Sequence, residues 1–364
     1  STSTSSPATS ATITALGALA IAAVAVSQDS MEDWVMPEVK PAEHQLAPAF
    51  DPALKTYPPR RGFPLLLFGL SKDPVAKPED FTGKFSFGQW LPDWNAKQYG
   101  SAFDYVQREI TAGNTYQVNL TFPLHTSFTG SVEACYDQLH HAQSSNYCGY
   151  IKTDEFSIVS ASPELFFEVR ERRIMTRPMK GTMPRGTTLE DDKIMRQSLA
   201  DSAKDQAENL MIVDLLRNDL GRVAVRGSVK EPEIFAIEKY PTVWQMTSAV
   251  EAELPPQTSL TDIFKAIYPC GSVTGAPKIS TMKIINELET APRDVYCGAF
   301  GIIMPDGNAI FNVPIRTALI TGDNATYHVG SGLVTDSNAD SEYDECLIKA
   351  NVLSREHVRF ELLE

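Results

Sequence analysis

Histidine, positive charge and closely paired cysteines are scarce in this 364-residue chain. Its six histidines leave positions 142–327 without one, which excludes a Ser-His-Asp triad or a histidine-rich zinc site there. Lysine and arginine total 32 against 46 acidic residues, giving a net charge of −14. A broad basic surface for nucleic acid is therefore not expected. An anionic substrate would need a local cationic pocket.

The cysteines form no CxxC pair, and their number is odd. This pattern favours free thiols in a reducing compartment, here the cytoplasm, over a disulfide or zinc framework. The five are Cys135, Cys148, Cys270, Cys297 and Cys346.

The first part of the chain differs from the rest in composition. No lysine or arginine precedes Lys40, so the apolar run 11–26 lacks the basic segment of a signal peptide. The run is also short and alanine-rich for a membrane span, which favours a tail or a remnant helix and no membrane association. Positions 37–64 hold seven of the 24 prolines. We predict a low-complexity, Ala-rich and Pro-rich N-terminal region over 1–84 and a catalytic domain over 85–364.

Strands in runs and helices in blocks are predicted beyond this region, without regular βαβ alternation. This order favours an α+β fold with a two-sheet β-sandwich core and surrounding helices. The predicted helices cover 102–112, 191–220 and a segment from about 341. The predicted strands cover 116–122, three runs between 156 and 179, then 295–304, 309–320 and 325–334.

Two sets of charged residues each have a structural and a metal-binding interpretation. They are Glu208 alone, and the group Glu342, Glu345 and Lys349. On a helix, Glu208 shares a face with Met211 and Ile212, so its carboxylate needs either an arginine partner or a metal ion. The second group is either a solvated helix face with an i,i+4 ion pair or part of a Mg²⁺ site.

Three further features carry two interpretations. The run 271–278 (GSVTGAPK) fails as a phosphate loop, because its glycines are too close and Ile279 follows the lysine. It predicts a turn leading into a helix, whose N-terminus can hold a small anion. Lys180 is either a surface charge or, if its pKa is lowered, a nucleophile. Arg316 lies in an apolar run, which indicates a carboxylate partner from the protein or from a ligand.

Eight ordered segments between about 97 and 361 resemble the chorismate-utilising enzymes. They are GNTYQVNL (113–120), SPELF (162–166), RPMKGTMPRG (177–186), AENLMIVDLLRNDLGRV (207–223), PCGSVTGAPK (269–278), VYCGAFGII (295–303), NVPIRTA (312–318) and VGSGLVTDSNADSEYDECLIKA (329–350).

Two positions resemble one subgroup of that family, the aminodeoxychorismate synthase component I enzymes. Lys180 precedes Gly181-Thr182, where anthranilate synthases usually have alanine. Gln117 occupies the place of the lysine base in enzymes that add water to chorismate. Glutamine cannot deprotonate water, whereas ammonia is already a competent nucleophile. The resemblance therefore implies amination at C4 of chorismate, towards p-aminobenzoate and folate.

The resemblance also implies a role for each matched residue. Glu164 would protonate the departing C4 hydroxyl, and Lys180 would add covalently at C2. The implied metal ligands for Mg²⁺ are Glu208 and Glu345, with Glu342 as a third candidate. The implied substrate-binding residues are Gln117, Gly181, Thr182, Thr274, Gly275, Tyr296, Arg316, Gly330, Ser331, Gly332 and Lys349.

The resemblance further implies a partner, a glutamine amidotransferase subunit that supplies ammonia in a heterodimer. Two other functions remain open: an anthranilate synthase component I, and a non-catalytic truncated paralogue that acts as a binding subunit. Gln245 departs from the family, whose members often carry histidine there, and the motif of a tryptophan regulatory site is not recognisable.

Overall fold

The computed structural model describes residues 19–26, 66–71 and 83–350, apart from 144, 241–242 and 305. Its helices are α1 (Ala96–Thr111), α2 (Val132–Gln143), α3 (Leu189–Ala200), α4 (Ala203–Gly221), α5 (Leu260–Ile267), α6 (Lys278–Leu288) and α7 (Ala339–Ala350). Its strands are β1 (Leu19–Val26), β2 (Leu66–Ser71), β3 (Phe85–Phe87), β4 (Leu91–Pro92), β5 (Gln117–Gly130), β6 (Gly149–Lys152), β7 (Ser157–Ser160), β8 (Leu165–Arg170), β9 (Arg173–Arg177), β10 (Met179–Pro184), β11 (Lys230–Lys239), β12 (Val243–Glu253), β13 (Gly275–Ala276), β14 (Asp294–Ile303), β15 (Ala309–Asn312), β16 (Thr317–Thr321) and β17 (Asn324–Leu333).

These strands form two large sheets. The first sheet has nine strands in the order β10-β12-β9-β8-β15-β14-β1-β2, with β11 also paired to β12. The second sheet has eight strands in the order β13-β5-β17-β16-β7-β6, with β3 and β4 paired to β5. Pairing is antiparallel except at β1, which runs parallel to both β14 and β2. The expected α+β sandwich is confirmed.

Helices pack against both sheets of the sandwich. One core cluster joins α4 and α5 to the first sheet, and a second joins α1, α2, α6 and α7 to the second sheet. A third cluster packs Ile158 and Leu319 of the second sheet against Val295 and Phe300 of the first. The two sheets therefore face each other, and apolar side chains fill part of the space between them.

Two connections cross between the sheets side by side. Segment 161–164 leads from β7 to β8, and segment 313–316 leads from β15 back to β16. The Ala161 amide donates to the Arg316 carbonyl at 3.1 Å, and the Val313 amide donates to the Glu164 carbonyl at 3.1 Å. The Ser162 hydroxyl also donates to the Val313 carbonyl at 2.5 Å. This paired crossing places Glu164 and Arg316 at the same seam between the sheets.

Two predicted elements are divided in the structure. The helix predicted over 191–220 is two helices, α3 and α4, because Asp201 ends the first and the Ser202 side chain caps the second by accepting from the Asp205 amide at 3.3 Å. The strand predicted over 309–320 is β15 and β16, which lie in different sheets. Arg316, between them, has a φ of 51° and cannot continue a strand.

The apolar run 11–26 differs from the expected tail or remnant helix. Its residues 19–26 form β1, which pairs with both β2 and β14, while residues 11–18 lie outside the described part of the chain. Pairing on both sides stabilises a strand that local composition did not predict. Two strands within 1–84 thus join the first sheet, and the predicted domain boundary at residue 84 stays a prediction. No helix in the described ranges is long and apolar enough to span a bilayer.

Candidate active site

Lys180 and Gln117 meet between the two sheets. Lys180 lies on β10 of the first sheet, and Gln117 begins β5 of the second. A Cβ atom built on Gly332 of β17 would lie 3.2 Å from both the Lys180 Nζ and the Gln117 Nε2. Three elements therefore bring an amine, an amide and a backbone without a side chain to one point. The small residue at 332 leaves room beside the amine.

The side-chain amide of Gln117 has no hydrogen-bond partner among the described residues. Its side chain is fully buried, and neither Oε1 nor Nε2 makes a hydrogen bond to any described residue. Leaving a buried amide unpaired costs about 1–3 kcal/mol per group. A bound ligand with donor and acceptor atoms would satisfy it, so the point beside Lys180 is a candidate binding site.

The amine of Lys180 lies in surroundings that favour its neutral form. Burial lowers its pKa below the ordinary lysine value, against the opposing charges of Glu208 and Glu164. Within the described ranges, no hydrogen bond or ion pair engages its Nζ. A lowered pKa increases the fraction of neutral amine, the form that attacks an electrophile. Of the two interpretations of Lys180, the geometry favours the nucleophile.

Glu164 precedes β8 and is almost completely buried, with 4% of its surface exposed. Burial raises its pKa to about 7, although the Ser272 hydroxyl and the charges of Lys180 and Arg316 act in the opposite direction. The Ser272 hydroxyl donates to Glu164 Oε1 at 2.6 Å. A carboxyl group with a pKa near 7 can carry a proton at neutral pH and donate it, as a general acid does.

Arg316 supplies positive charge at the seam between the sheets. Burial lowers its pKa, and its guanidinium donates to the Gln143 amide oxygen. No carboxylate in the described part of the chain lies within ion-pair distance of it. The carboxylate partner that the apolar surroundings of Arg316 predict is therefore not among the described residues. A ligand carboxylate is the alternative that stays open.

Other predicted binding residues surround this centre or lie behind it. Gly275 of β13 pairs with Val118 of β5. The Thr274 hydroxyl donates to the Cys270 carbonyl at 2.9 Å. The Gly330 carbonyl accepts from Lys349 Nζ at 2.8 Å. Tyr296 is buried with its ring stacked on that of His328, 5.4 Å between centroids. Among the described residues, no hydrogen bond, ion pair or ring contact joins Tyr296 to Lys180 or Arg316, so its binding role stays a prediction.

The predicted metal ligands come from two helices. Glu208 lies on α4, and burial raises its pKa, with the charges of Asp205 and Glu342 acting in the same direction. Its nearest cation is Lys204, at 4.0 Å, rather than an arginine. On α7, Glu342 accepts from the Ser331 hydroxyl, and Glu345 pairs with Lys349 at 2.7 Å.

The carboxylates of Glu208, Glu342 and Glu345 are the kind of ligand that a hard cation prefers. All donors are oxygen atoms, and a divalent cation would relieve the repulsion between Glu208 and Glu342. No three His, Cys, Asp or Glu side chains form a closed metal cluster in the described ranges. Mg²⁺ commonly binds through one or two carboxylates plus oxygens of the ligand, so a closed cluster is not required.

Comparison with known proteins bears on this geometry. The profile of the family described as chorismate binding enzyme matches residues 29–355, most of the chain. The chain belongs to this family.

The chain is similar to individual proteins that carry two different names. It is 41% identical to aminodeoxychorismate synthase component 1 of Escherichia coli (strain K12) over 75% of this chain and 60% of that protein. It is 39% identical to anthranilate synthase component 1 of Saccharolobus solfataricus over 74% of this chain and 64% of that protein. The chain thus spans about three-fifths of the length of these curated relatives.

A solved structure supports the fold. The crystal structure of anthranilate synthase component I from Streptococcus pneumoniae TIGR4 superposes with a TM-score of 0.68 at 32% identity. The match covers 73% of this chain and 59% of that one. The two-sheet sandwich of this chain is therefore shared with that solved structure.

Sequence reasoning missed two polar contributions to the site. Ser272, within the quoted run PCGSVTGAPK, carries the hydroxyl that binds Glu164. Arg293 and Glu289 form a buried ion pair at 2.6 Å, behind the same loop. The sequence signal for Ser272 is a hydroxyl side chain within the run 269–278. The signal for Arg293 is its i,i+4 spacing from Glu289.

Proposed function

We propose that this chain aminates chorismate at C4 with ammonia, as an aminodeoxychorismate synthase component I, towards p-aminobenzoate and folate. One observation carries the proposal: the unpaired Gln117 amide lies beside the Lys180 amine. An aminating enzyme needs no base for its nucleophile, and Gln117 provides none. The names of the similar proteins support the same reaction class.

Binding of chorismate, a dianion, would use the cations at the seam. Arg316 would hold the enolpyruvyl carboxylate together with backbone groups of Gly330, Ser331 and Gly332, and Lys349 would add positive charge nearby. Gly181, Thr182, Thr274 and Gly275 would line the remaining surface. Glu208, Glu345 and Glu342 would hold Mg²⁺, which when bound would neutralise the ring carboxylate.

The proposed reaction has two displacements. Glu164 donates its proton to the C4 hydroxyl, which leaves as water while the neutral Lys180 amine forms a bond at C2. Ammonia then attacks C4, the bond between C2 and Lys180 breaks, and the lysine is regenerated. The nitrogen ends where the hydroxyl began. Because water at C4 would return the substrate, the buried surroundings of Glu164 and Gln117 favour amination by limiting access of water.

Ammonia is proposed to come from a glutamine amidotransferase subunit. The similar proteins are named component 1, and the quoted motifs include no glutaminase segment. The five cysteines, all unpaired, support a reducing compartment such as the cytoplasm.

Anthranilate synthase is the second candidate, because relatives with that name match almost as well. The two reactions differ in their product. The test is incubation with chorismate, Mg²⁺ and an ammonium salt, followed by chromatography with mass detection. We expect 4-amino-4-deoxychorismate; anthranilate with release of pyruvate would overturn the proposal.

A non-catalytic binding subunit is the third possibility. The arrangement of Lys180, Glu164 and Gln117 argues against it, because a subunit that only binds has no need to bury an unpaired amide beside a nucleophilic amine. The same incubation decides the point, since absence of any aminated product would favour the non-catalytic function.

A further inference from the structure

Strand β10 carries a bulge at Lys180. Met179 is opposite Thr247 of β12, and Thr182 is opposite Gln245. Between these pairs, Lys180 and Gly181 on β10 face only Met246 on β12. Two residues opposite one define a β-bulge, which redirects the side chains of the bulged strand. The bulge therefore determines where the Lys180 amine points.

Gly181 gives the bulge its conformation. Its φ is 81°, in the left-handed region that favours glycine. A Cβ at this position would also lie 2.8 Å from the Asp205 Cβ on α4. The bulge is thus compatible with glycine alone, but glycine is also the residue with the greatest conformational freedom. Something else must restrict it to one conformation.

The side chain of Gln245 contacts both residues that follow the lysine. Its Nε2 donates to the Gly181 carbonyl at 2.6 Å, and its Oε1 accepts from the Thr182 hydroxyl at 2.9 Å. The carbonyl can only accept, so the amide nitrogen must face it, and the amide oxygen then faces the hydroxyl. Gln245 is 8% exposed, so water competes weakly for these bonds.

We propose that Gln245 is a positioning residue for Lys180, holding the bulge so that the lysine amine lies beside Gln117 and Gly332. Resting on the proposed function, this inference assigns a task to the position at which the chain departs from its family. Gln245 acts through the backbone of Gly181 and the hydroxyl of Thr182.

The test uses two variants of Gln245 in the whole chain. Gln245→Leu removes both hydrogen bonds at similar size. Gln245→Glu keeps the acceptor for Thr182 but turns a carboxylate oxygen towards the Gly181 carbonyl, where two acceptors repel. Both variants are assayed for kcat and for KM of chorismate with Mg²⁺ and an ammonium salt. Hydrogen exchange of the peptide that contains residues 180–182 is measured by mass spectrometry.

Misplacing a nucleophile by about 1 Å costs on the order of a hundredfold in rate. We expect both variants to lose kcat by about that factor, with KM changed less than about threefold, and to exchange the 180–182 amides faster. Ser248→Ala is the matched control, because it removes buried hydrogen bonds to Asn209 and to the Phe235 amide from the same strand. It is expected to change neither readout.

Three results would overturn the inference. They are wild-type kcat in Gln245→Leu, unchanged exchange at 180–182, and a raised KM at constant kcat, which would place Gln245 on the substrate. If the wild-type protein yields no aminated product, the proposed function fails. Hydrogen exchange then decides the positioning role independently, since it requires no turnover.

Discussion

Two buried polar regions, Glu289 with Arg293 and Lys180 with Gln117, differ in how fully their groups are paired. Glu289 and Arg293 are 5% and 6% exposed. Arg293 donates to both oxygens of Glu289 and to two backbone carbonyls, those of Val273 and Asn119, and Glu289 also accepts from Thr121. Around Lys180, by contrast, an amine and an amide are buried without a described partner.

The contrast distinguishes buried polar groups that stabilise the fold from buried polar groups that are open to a ligand. A buried ion pair whose hydrogen bonds are complete has nothing left to offer a ligand, so its role is to hold the loop against β5. A buried amide and amine left unpaired reduce stability, and a folded chain retains them where a ligand completes the bonding. Substitutions in the first region should therefore affect folding, and substitutions in the second should affect turnover.

Lys180→Ala should produce the largest effect. Without the amine no covalent adduct forms, and we expect the rate of amination to fall by about ten-thousandfold, or ~5.5 kcal/mol. Stability should stay equal or rise, because the change removes a buried unpaired amine. The measurements are steady-state kinetics and urea unfolding, with exposed Lys193→Ala as the control. Unchanged turnover would exclude the covalent route.

Arg293→Leu should produce the opposite pattern. The change leaves the buried Glu289 carboxylate without its cation. Such a loss lowers the free energy of unfolding by about 3–5 kcal/mol. Urea denaturation measures it. Arg170→Ala is the control, because the Arg170–Glu168 pair is largely exposed on the arginine side and is worth under about 1 kcal/mol. Equal urea denaturation midpoints for the two variants would contradict a stabilising role of the Glu289–Arg293 pair.

Glu164→Gln should lower the amination rate by about a hundredfold, within the usual range for loss of a general acid. The pH profile gives a sharper test. In the wild-type protein the acid form of Glu164 is lost as pH rises through its pKa of about 7, so activity should decline there. The glutamine variant has no such proton, and its residual activity should lack that decline. A decline that persists in the variant would assign it to another group.

Ser272→Ala should have the smallest effect. The Ser272 hydroxyl stabilises the charged form of Glu164, so its removal should raise the pKa of Glu164 further. The decline of activity on the basic side should move to higher pH by about one unit. Ser280→Ala, which removes an exposed hydroxyl from α6, is the comparison. A shift to lower pH in Ser272→Ala would contradict the described hydrogen bond.

Local patterns were sufficient for much of the fold. The strands predicted between 156 and 179 follow from runs rich in β-branched and aromatic residues, and they are present as β7, β8 and β9. The division at Ser202 was missed because apolar residues continue at helical spacing across it, whereas a single capping hydroxyl decides the break. Strand β1 was missed because its stability comes from neighbours distant in sequence.

Local sequence patterns have the same limit in predicting the site. Resemblance pointed to Lys180 and Glu164, and the structure brings both to one centre, but no local pattern reports that Gln117 lacks a partner. That property depends on three strands from two sheets. The bond from Ser272 to Glu164 joins residues 108 positions apart and was likewise invisible in the sequence.

The paired crossing of 161–164 and 313–316 restricts how the pocket can open. Because Glu164 and Arg316 lie on two connections that are hydrogen-bonded to each other, sliding one sheet past the other would break three bonds at once. Glu208 of α4 and Lys349 of α7 also act on Lys180 through their charges, and neither helix takes part in the three described bonds of the crossing. We expect entry and exit of small molecules to follow outward movement of these two helices, with faster amide exchange in α7 than in the crossing as its measurable sign.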